Sequence, residues 1–551
     1  MAIDTAEKRR SISGLPFLTP GVTPNAGKDQ EWRQEAGWGY SGILVAALFG
    51  WSWAIEAYLG GSWVNISEDV MNERPIKAKR GMAGVNVTDR VAAPGDLSFT
   101  LDNSRANSGG LLGYYSPDHA SLRSGFVLDA LVRLKITSGS TTRYVFRGWI
   151  STIFPTAGQF RDRLTFVQAL DYMHKLNLAR LSRIMAQENQ RSDQIVNTLI
   201  TSAPTAPQNT SYATDNFAFT YALHSEKDEK TTTLAALSKV CKSALGYVFI
   251  KGNTTDGETL VYQYRHSRAG GASLAALTNT MSGLKVSRSS DTRRNKVVGA
   301  VYPVTLDDAA TTVLCSLGNE MEIFSGAANA RTFTLRVTDP NGGGRRISGK
   351  EFVTPLVADT HYKMSSITND NGNDLNAYLS ITLVLGANSV EVTLENTGSA
   401  KGYVNKLEIV GRGIYTDYPI EIVVESGAGD KEFSFDLPYQ DNYYRGVDFI
   451  TAVHKFVSAN VSDVDSLWFY ADFDTTLMGY ALALDIGDRI TLTETATGLS
   501  QEYFINWVEF TIERGMLKVA WGVVSTGITQ FFTLDHATYG ELNNTTYLLA
   551  Y

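Results

Sequence analysis

The chain has 551 residues, 43% of them hydrophobic and 19% charged, which excludes an intrinsically disordered protein and exceeds one ordinary domain, so three or four domains are expected. Its 57 acidic residues against 49 Lys and Arg leave a net charge of −8, which speaks against a protein that wraps nucleic acid tightly. With only two cysteines, Cys241 and Cys315, and no CxxC spacing, a disulfide framework is excluded, and free buried thiols in a chain made in the cytoplasm are expected.

Residues 1–61 are predicted to form an extended N-terminal arm. Pro16, Pro20 and Pro24 with Gly14, Gly21 and Gly27 preclude regular structure. Met1 to Arg10 is charged, and the run Ser11–Pro24 has no apolar core long enough for a signal peptide. Phe17, Leu18, Trp32, Trp38 and Tyr40 are too apolar for a solvated tail, so the arm either meets a neighbouring surface or folds back on its own domain. Ile43 to Leu59 approaches the length of a membrane span but holds Gly50, Ser52 and Glu56. A buried or subunit-covered segment is the preferred reading there, with no stable membrane insertion, and a true membrane span over residues 43–59 is the alternative.

From Trp63 the pattern turns to strands. Leu97, Phe99 and Leu101 alternate with Ser98 and Thr100. Val132, Leu134 and Ile136 alternate with Arg133 and Lys135, and after Ser138-Gly139-Ser140 the run Tyr144–Ile150 returns as a hairpin. Residues 62–178 are therefore a first β half. Residues 179–303 are expected to be a helical α+β linking domain. One helix, with Ser192 as N-cap, presents Ile195, Val196, Leu199 and Ile200 and ends at Pro204. A second runs from about Thr232 with Leu234, Leu237, Val240 and Cys241 on one face and Gly246 as its stop, before a strand at Tyr247–Ile250. Residues 304–425 read as an inserted β-sandwich, with strands at Thr332–Val337, Ile381–Leu385, Val390–Leu394 and Tyr403–Val410. A short helix, Val447–Val457, opens the second β half, residues 426–526, and residues 527–551 form a C-terminal arm. The fold class is mainly β: two related β-barrel-like halves with a small α/β linking domain and an inserted β-sandwich.

The pairing of the halves rests on an internal echo. The hairpin of residues 132–150 has a counterpart in Asp488–Leu492 followed, after a Thr/Glu/Gly loop, by Tyr503–Val508. In each, a basic residue (Arg133, Arg489) opens an alternating strand, and an aromatic-led strand returns with Trp149 or Trp507 near its end.

Motifs for chemistry are weak. Gly344–Lys350 has part of a P-loop spacing, but Glu351 would repel phosphate and no apolar strand feeds the glycines, so a plain loop is expected. Asn369–Asp374 has the composition of a calcium loop without its spacing, and reads as an Asx-rich turn. Seven histidines (119, 174, 224, 266, 361, 454 and 536) lack metal-ligand spacing. Asp463, Asp465, Asp472 and Asp474 read as solvated strand ends rather than a paired acid and base. The basic run Lys285, Arg288, Arg293, Arg294 and Lys296 suits salt links to an acidic partner better than the wall of a DNA channel. No catalytic, cofactor-binding or metal-ligating residue is singled out.

The order of elements resembles the tail-tip and baseplate hub proteins of tailed bacteriophages. The segments that carry the resemblance are Trp63–Val70, Arg90–Asn103, Phe146–Ile153, Ala169–Leu176, Leu245-Gly246-Tyr247, Arg294–Gly299 and Leu484–Ile490, covering most of residues 62–300 and 440–523. The two chain ends look like ends seen on phage structural proteins, and the 304–425 unit is an insertion relative to a minimal hub. The resemblance implies a structural virion protein without enzymatic activity or cofactor. It would be a homotrimer, synthesised in the host cytoplasm, at the tail tip. Its partners would be the tail tube or distal tail protein above, tip or fibre proteins below and the tape-measure protein within. DNA would be present only in passage during genome ejection.

Two rivals stand beside it. A receptor- or carbohydrate-binding tail protein involved in host attachment would use loop aromatics of the insert (Phe324, Tyr362, Tyr378, Tyr415, Tyr418), and a polysaccharide-degrading tailspike would need paired carboxylates in a groove. If the arm serves assembly, deleting residues 1–42 leaves the β-sheet circular dichroism of the purified chain intact and weakens association with neighbours. Loss of the β signal would place the arm in the core.

Overall fold

The computed structural model describes residues 50–84, 86–156, 163–288, 293–339, 346–370, 372–427, 430–459 and 463–526. The expected N-terminal arm up to residue 49 and the C-terminal arm, 527–551, lie outside them. The chain is mainly β, with several sheets.

The largest sheet has twelve strands, here labelled in chain order. They are β1 (Trp51–Leu59), β2 (Ser62–Asn65), β3 (Ile76–Gly81), β4 (Ala93–Asp102), β5 (Leu131–Ser138), β6 (Thr141–Pro155), β7 (Leu164–Leu170), β8 (Ala275–Thr278), β9 (Ser466–Tyr470), β10 (Arg489–Glu494), β11 (Leu499–Glu513) and β12 (Met516–Ser525). Their order is β8-β10-β11-β3-β4-β7-β6-β5-β1-β2, with β12 on β11 and β9 on β12. The two β-barrel-like halves expected are parts of one sheet, joined where β3 pairs antiparallel with β11 from Ile76↔Ile512 to Gly81↔Trp507. Among the described residues no closed barrel forms. Alternation marks the inward face of each strand but not its neighbour, because pairing across more than 400 residues leaves no local signal.

The predicted hairpins both exist. β5 and β6 meet through the two-residue turn Gly139-Ser140, with Gly139 at φ 56°. β10 and β11 meet through residues 495–498, with Gly498 at φ 67°. In both, the second strand is 15 residues long and changes partner partway. β6 leaves β5 for β7 across a register shift between Ile150 and Thr152, and β11 is shifted against β12 between Ile505 and Trp507. Val132, Leu134 and Ile136 of one hairpin and Ile490, Leu492 and Tyr503 of the other are buried in a single hydrophobic core.

Several boundaries move. The arm expected over 1–61 loses residues 51–59, which form β1 between β2 and β5. A nearly continuous buried run in a strand covered on both faces carries no alternation, so it reads equally as a helix or a span. Glu56 is tolerated there because Arg133 and Lys135 on β5 donate to it at 2.6 and 2.5 Å. Among the described residues no helix is long and apolar enough to cross a membrane. The linking segment 179–303 gives up its last part, since β8 joins β10 in parallel and Lys296–Val301 forms a small sheet with Ile420–Glu425 and Glu432–Ser434.

The remaining elements carry smaller corrections. Helices α1 (Tyr172–Leu178), α2 (Ser192–Ser202) and α3 (Thr233–Ala244) precede the strand Tyr247–Lys251. Arg191, not Ser192, is the N-cap of α2; Ser192 is already helical and its hydroxyl donates to Asp215. α3 starts where expected, with Thr232 as its N-cap, but Leu245 rather than Gly246 takes the left-handed turn at φ 53°. Glycine is required at 246 for another reason: a Cβ would sit 2.6 Å from the Tyr262 hydroxyl oxygen. The helix expected at Val447–Val457 extends to α4 (Tyr443–Ser458), which buries Phe449, Ile450 and Val453 against the small sheet. A later helix, α5, spans Thr475–Ala483.

The insert has its own core. The strands found at Arg331–Arg336, Leu379–Leu385 and Ser389–Asn396 form one sheet. The long strand Gly402–Thr416 is the spine of the other, and Leu314, Val392, Leu394, Val404 and Ile409 are buried between them. Its end lies earlier than residue 425, because Ile420–Glu425 pairs back onto the strand that leads into the insert, with Val301 opposite Ile420. The insert's entrance and exit are therefore adjacent. Replacing residues 304–416 by a short Gly/Ser linker is expected to yield a soluble chain with a cooperative thermal transition. Wholly insoluble product would show that the main sheet depends on the insert.

Candidate functional site: the junction between the two halves

The most highly built polar site lies where the halves meet. Asp485, in the turn after α5, is 1% exposed. Its carboxylate accepts both terminal nitrogens of Arg80 at 2.8 Å, Arg143 Nη2 at 2.8 Å and the Gly252 N–H at 3.0 Å. Arg80, on β3 and 3% exposed, also donates Nε to the Val145 carbonyl and Nη1 to that of Ile250, both at 2.8 Å. Lys251 donates to Asp488 at 2.7 Å, and Asp488 accepts the Asp485 N–H at 2.8 Å. First half, linking segment and second half thus converge on one carboxylate. Burial pushes the Asp485 carboxyl up, but Arg80 and Arg143 outweigh it and pull it down to about 2.

The residues weighed as chemistry in the sequence are scattered. Of the expected loop at Gly344–Lys350, residues 344 and 345 lie outside the described residues, and Arg346–Lys350 is instead a strand on the insert's spine, where a Cβ on Gly349 would collide with Phe352 and Leu314. Asn369 and Asp370 take left-handed conformations, as an Asx-rich turn requires, and Asp370 pairs with Lys363 at 2.6 Å. Asp474 caps α5 through the N–H groups of Thr476 and Leu477, and Asp472 accepts the Leu517 N–H. Of the basic run, Lys296 pairs with Glu432 at 2.8 Å within the chain. Tyr415 is buried beside Asp307 and Tyr362 packs on the insert core, while Phe324, Tyr378 and Tyr418 are exposed. Both cysteines are free and buried, and burial pushes their thiols up to about 12.

Sequence reasoning assigns no residue of the Asp485 network a role, although Leu484–Ile490 is among the segments carrying the resemblance. The one local signal is a charge in an otherwise alternating strand, Arg80 after Ala78. Its partner is 405 residues away.

No family model matches the chain, and no curated protein matches it in sequence. Among solved structures it is similar to phage tail proteins over most of its length. The 43 kDa tail protein of prophage MuSo2 from Shewanella oneidensis is 11% identical, covering 86% of this chain and 99% of that one with a TM-score of 0.45. A tail protein from Neisseria meningitidis MC58 is 8% identical, covering 86% and 98% with a TM-score of 0.44. Prophage tail protein gp18 from Listeria monocytogenes EGD-e is 6% identical, covering 85% and 94% with a TM-score of 0.37.

Replacing Asp485 by Asn leaves two buried arginines without their counter-charge and should cost about 3–5 kcal/mol in urea unfolding at neutral pH. The folded pKa lies below the ordinary value of 3.8, so the stabilisation is complete above that value and fades as pH falls toward about 2. The gap between wild type and Asp485→Asn should narrow over that window. A gap independent of pH would mean that packing, not charge, holds the junction.

Proposed function

We propose that the chain is a non-enzymatic tail-tip, or baseplate, hub subunit of a tailed bacteriophage, assembled as a homotrimer in the virion. The observation that carries the reading is a repeated topology. Each half contributes strands in the spatial order β1-β5-β6-β7-β4 or β8-β10-β11-β12-β9, and in each the chain runs through the two outer strands before the central three. Only the outer contact differs, antiparallel for β1 on β5 and parallel for β8 on β10.

One subunit thereby supplies two similar wedges, and three subunits supply six, which can meet a six-fold tube while the hub remains three-fold. The path of the sheet ends at β2 and β8, and a ring of identical neighbours would cover such edges. In this reading residues 51–178 and 426–526, with β8, are the hub halves, 179–274 the linking domain and 304–416 an outward module. The tail tube or distal tail protein lies above, tip or fibre proteins below, and the tape-measure protein and passing DNA within. Native mass spectrometry of the purified chain and reconstruction of the assembled particle are expected to give three copies, with the β5–β6 and β10–β11 hairpins related by a rotation of about 60°. Six copies, one copy, or unrelated hairpin positions would overturn it.

A further inference from the structure

A second polar site lies away from the Asp485 junction, between α4, the linking segment and the end of β12. A cavity of about 110 Å³ there is lined by Arg90, Arg265, Arg268 and Lys455, with apolar walls that include Val453 and Phe504. That is room for several water-sized groups. Arg268 is 4% exposed and Arg90 6% exposed. The two guanidinium groups lie over the ring of Tyr247, at 3.9 and 4.9 Å from its centre, and Arg265 lies 4.3 Å over Phe449.

These cations have few partners. Arg268 donates Nη2 to Asn506 at 2.5 Å and Arg90 donates Nη1 to the Leu245 carbonyl at 2.8 Å. Nε and Nη1 of Arg268 and Nε of Arg90 have no acceptor although they are buried. No carboxylate forms an ion pair with Arg90, Arg265 or Arg268 among the described residues. The acids that act on them from a distance are Asp215 and Asp448 on Arg265 and Asp488 on Arg268. Asp215 is held by Ser192, and Asp488 by Lys251. Burial pushes the Tyr247 phenol up, yet the charges of Arg90 and Arg268, with a side-chain hydrogen bond from Arg90, outweigh it and hold it below its ordinary value. Burying several guanidinium groups without a counter-charge is costly, and a bound anion removes the cost.

We propose that the cavity between Arg90, Arg265 and Arg268 is a binding site for a small oxyanion of the phosphate, sulfate or carboxylate class. Nε and Nη1 of Arg268 offer free N–H donors on two edges of its guanidinium, which oxyanion oxygens accept, and Arg90 Nε supplies a further N–H. The anion would tie Arg90, ahead of β4, to Arg265 and Arg268 of the linking segment. The site does not depend on the hub reading.

The test uses the full chain, unfolded thermally in chloride and in sodium phosphate, sulfate or acetate at equal ionic strength. The midpoint is expected to rise saturably with at least one oxyanion over the chloride control, and the responding anion identifies the source. Arg268→Met should lose that rise, and in chloride alone its midpoint should equal or exceed the wild type's, because an uncompensated buried cation has been removed. Ala452→Phe keeps every arginine while narrowing the cavity, and should lose the rise as well. Equilibrium dialysis of the wild type against the responding anion, labelled, is expected to give one per chain. No oxyanion-specific rise, or a rise unchanged in both variants, would overturn the proposal.

Discussion

A carboxylate buried to 1% exposure is tolerated only if its charge and both oxygens are satisfied, and that requirement at Asp485 constrains the rest of the chain. Its partners come from β3, from β6 and from the backbone after the strand Tyr247–Lys251, so no local segment can satisfy it alone. The apolar drive comes from the shared core, where Leu97 and Phe99 of one half are buried in the same cluster as Trp521 and Ile490 of the other. Such a core tolerates many sliding arrangements of apolar faces. A fixed arginine fork on a fixed carboxylate tolerates very few, and it sets the register in which β3 meets β11.

The same junction explains why the two halves form one sheet. β11 is paired from Tyr503 onward by β12 on one side, while its other side is shared by β10 near its start and by β3 near its end. The strand must bend to serve both, and the register shift at Ile505–Trp507 lies where the partner changes. β6 faces the same problem between β5 and β7 and meets it with the shift at Ile150–Thr152. Trp149 and Trp507, the aromatic echo in the sequence, flank these two bends.

The range of each interaction decides how much of the fold and of the site is legible in the sequence. Alternation over residues 97–101 and 132–136, the turn at Gly139, the helix start near Thr232 and the insert's strands are local properties, and the structure has them in place. β1 is hidden because burial on both faces removes alternation. β8 is hidden because four residues in parallel pairing leave almost no pattern. The Asp485 network is illegible for a different reason: Asp485 stands among Leu484, Ile486 and Gly487, in a segment that reads as an ordinary turn before a strand, and its arginines lie hundreds of residues away. The arginine cavity around Tyr247 is equally hidden, since Arg265 and Arg268 begin as charges on a five-residue helix and acquire meaning only when α4 closes over them.

The repeated topology also explains where the chain could grow. In both halves the central three strands follow one another with little between them: residues 139–140 and 156–163 in the first, 495–498 and 514–515 in the second. The small sheet and the insert enter instead at a crossing between outer strands. In the first half, β2 and β3 lie between β1 and β4. In the second, the equivalent crossing from β8 to β9 runs from Thr278 to Ser466 and holds the small sheet, the insert and α4. Physically this is the permissive place, because a hairpin's register is fixed by its turn, whereas a crossing need only return to the correct edge. The small sheet makes the return secure by pairing Val301 with Ile420, so that the insert hangs from two adjacent strands instead of two loose ends. The insert also rests on the linking segment through Arg183 to Glu391 at 2.5 Å and Asn388 to the Glu226 carbonyl at 2.7 Å, contacts that orient it without entering the main core. A module attached in this way can vary in sequence without disturbing the strands on which the central sheet depends.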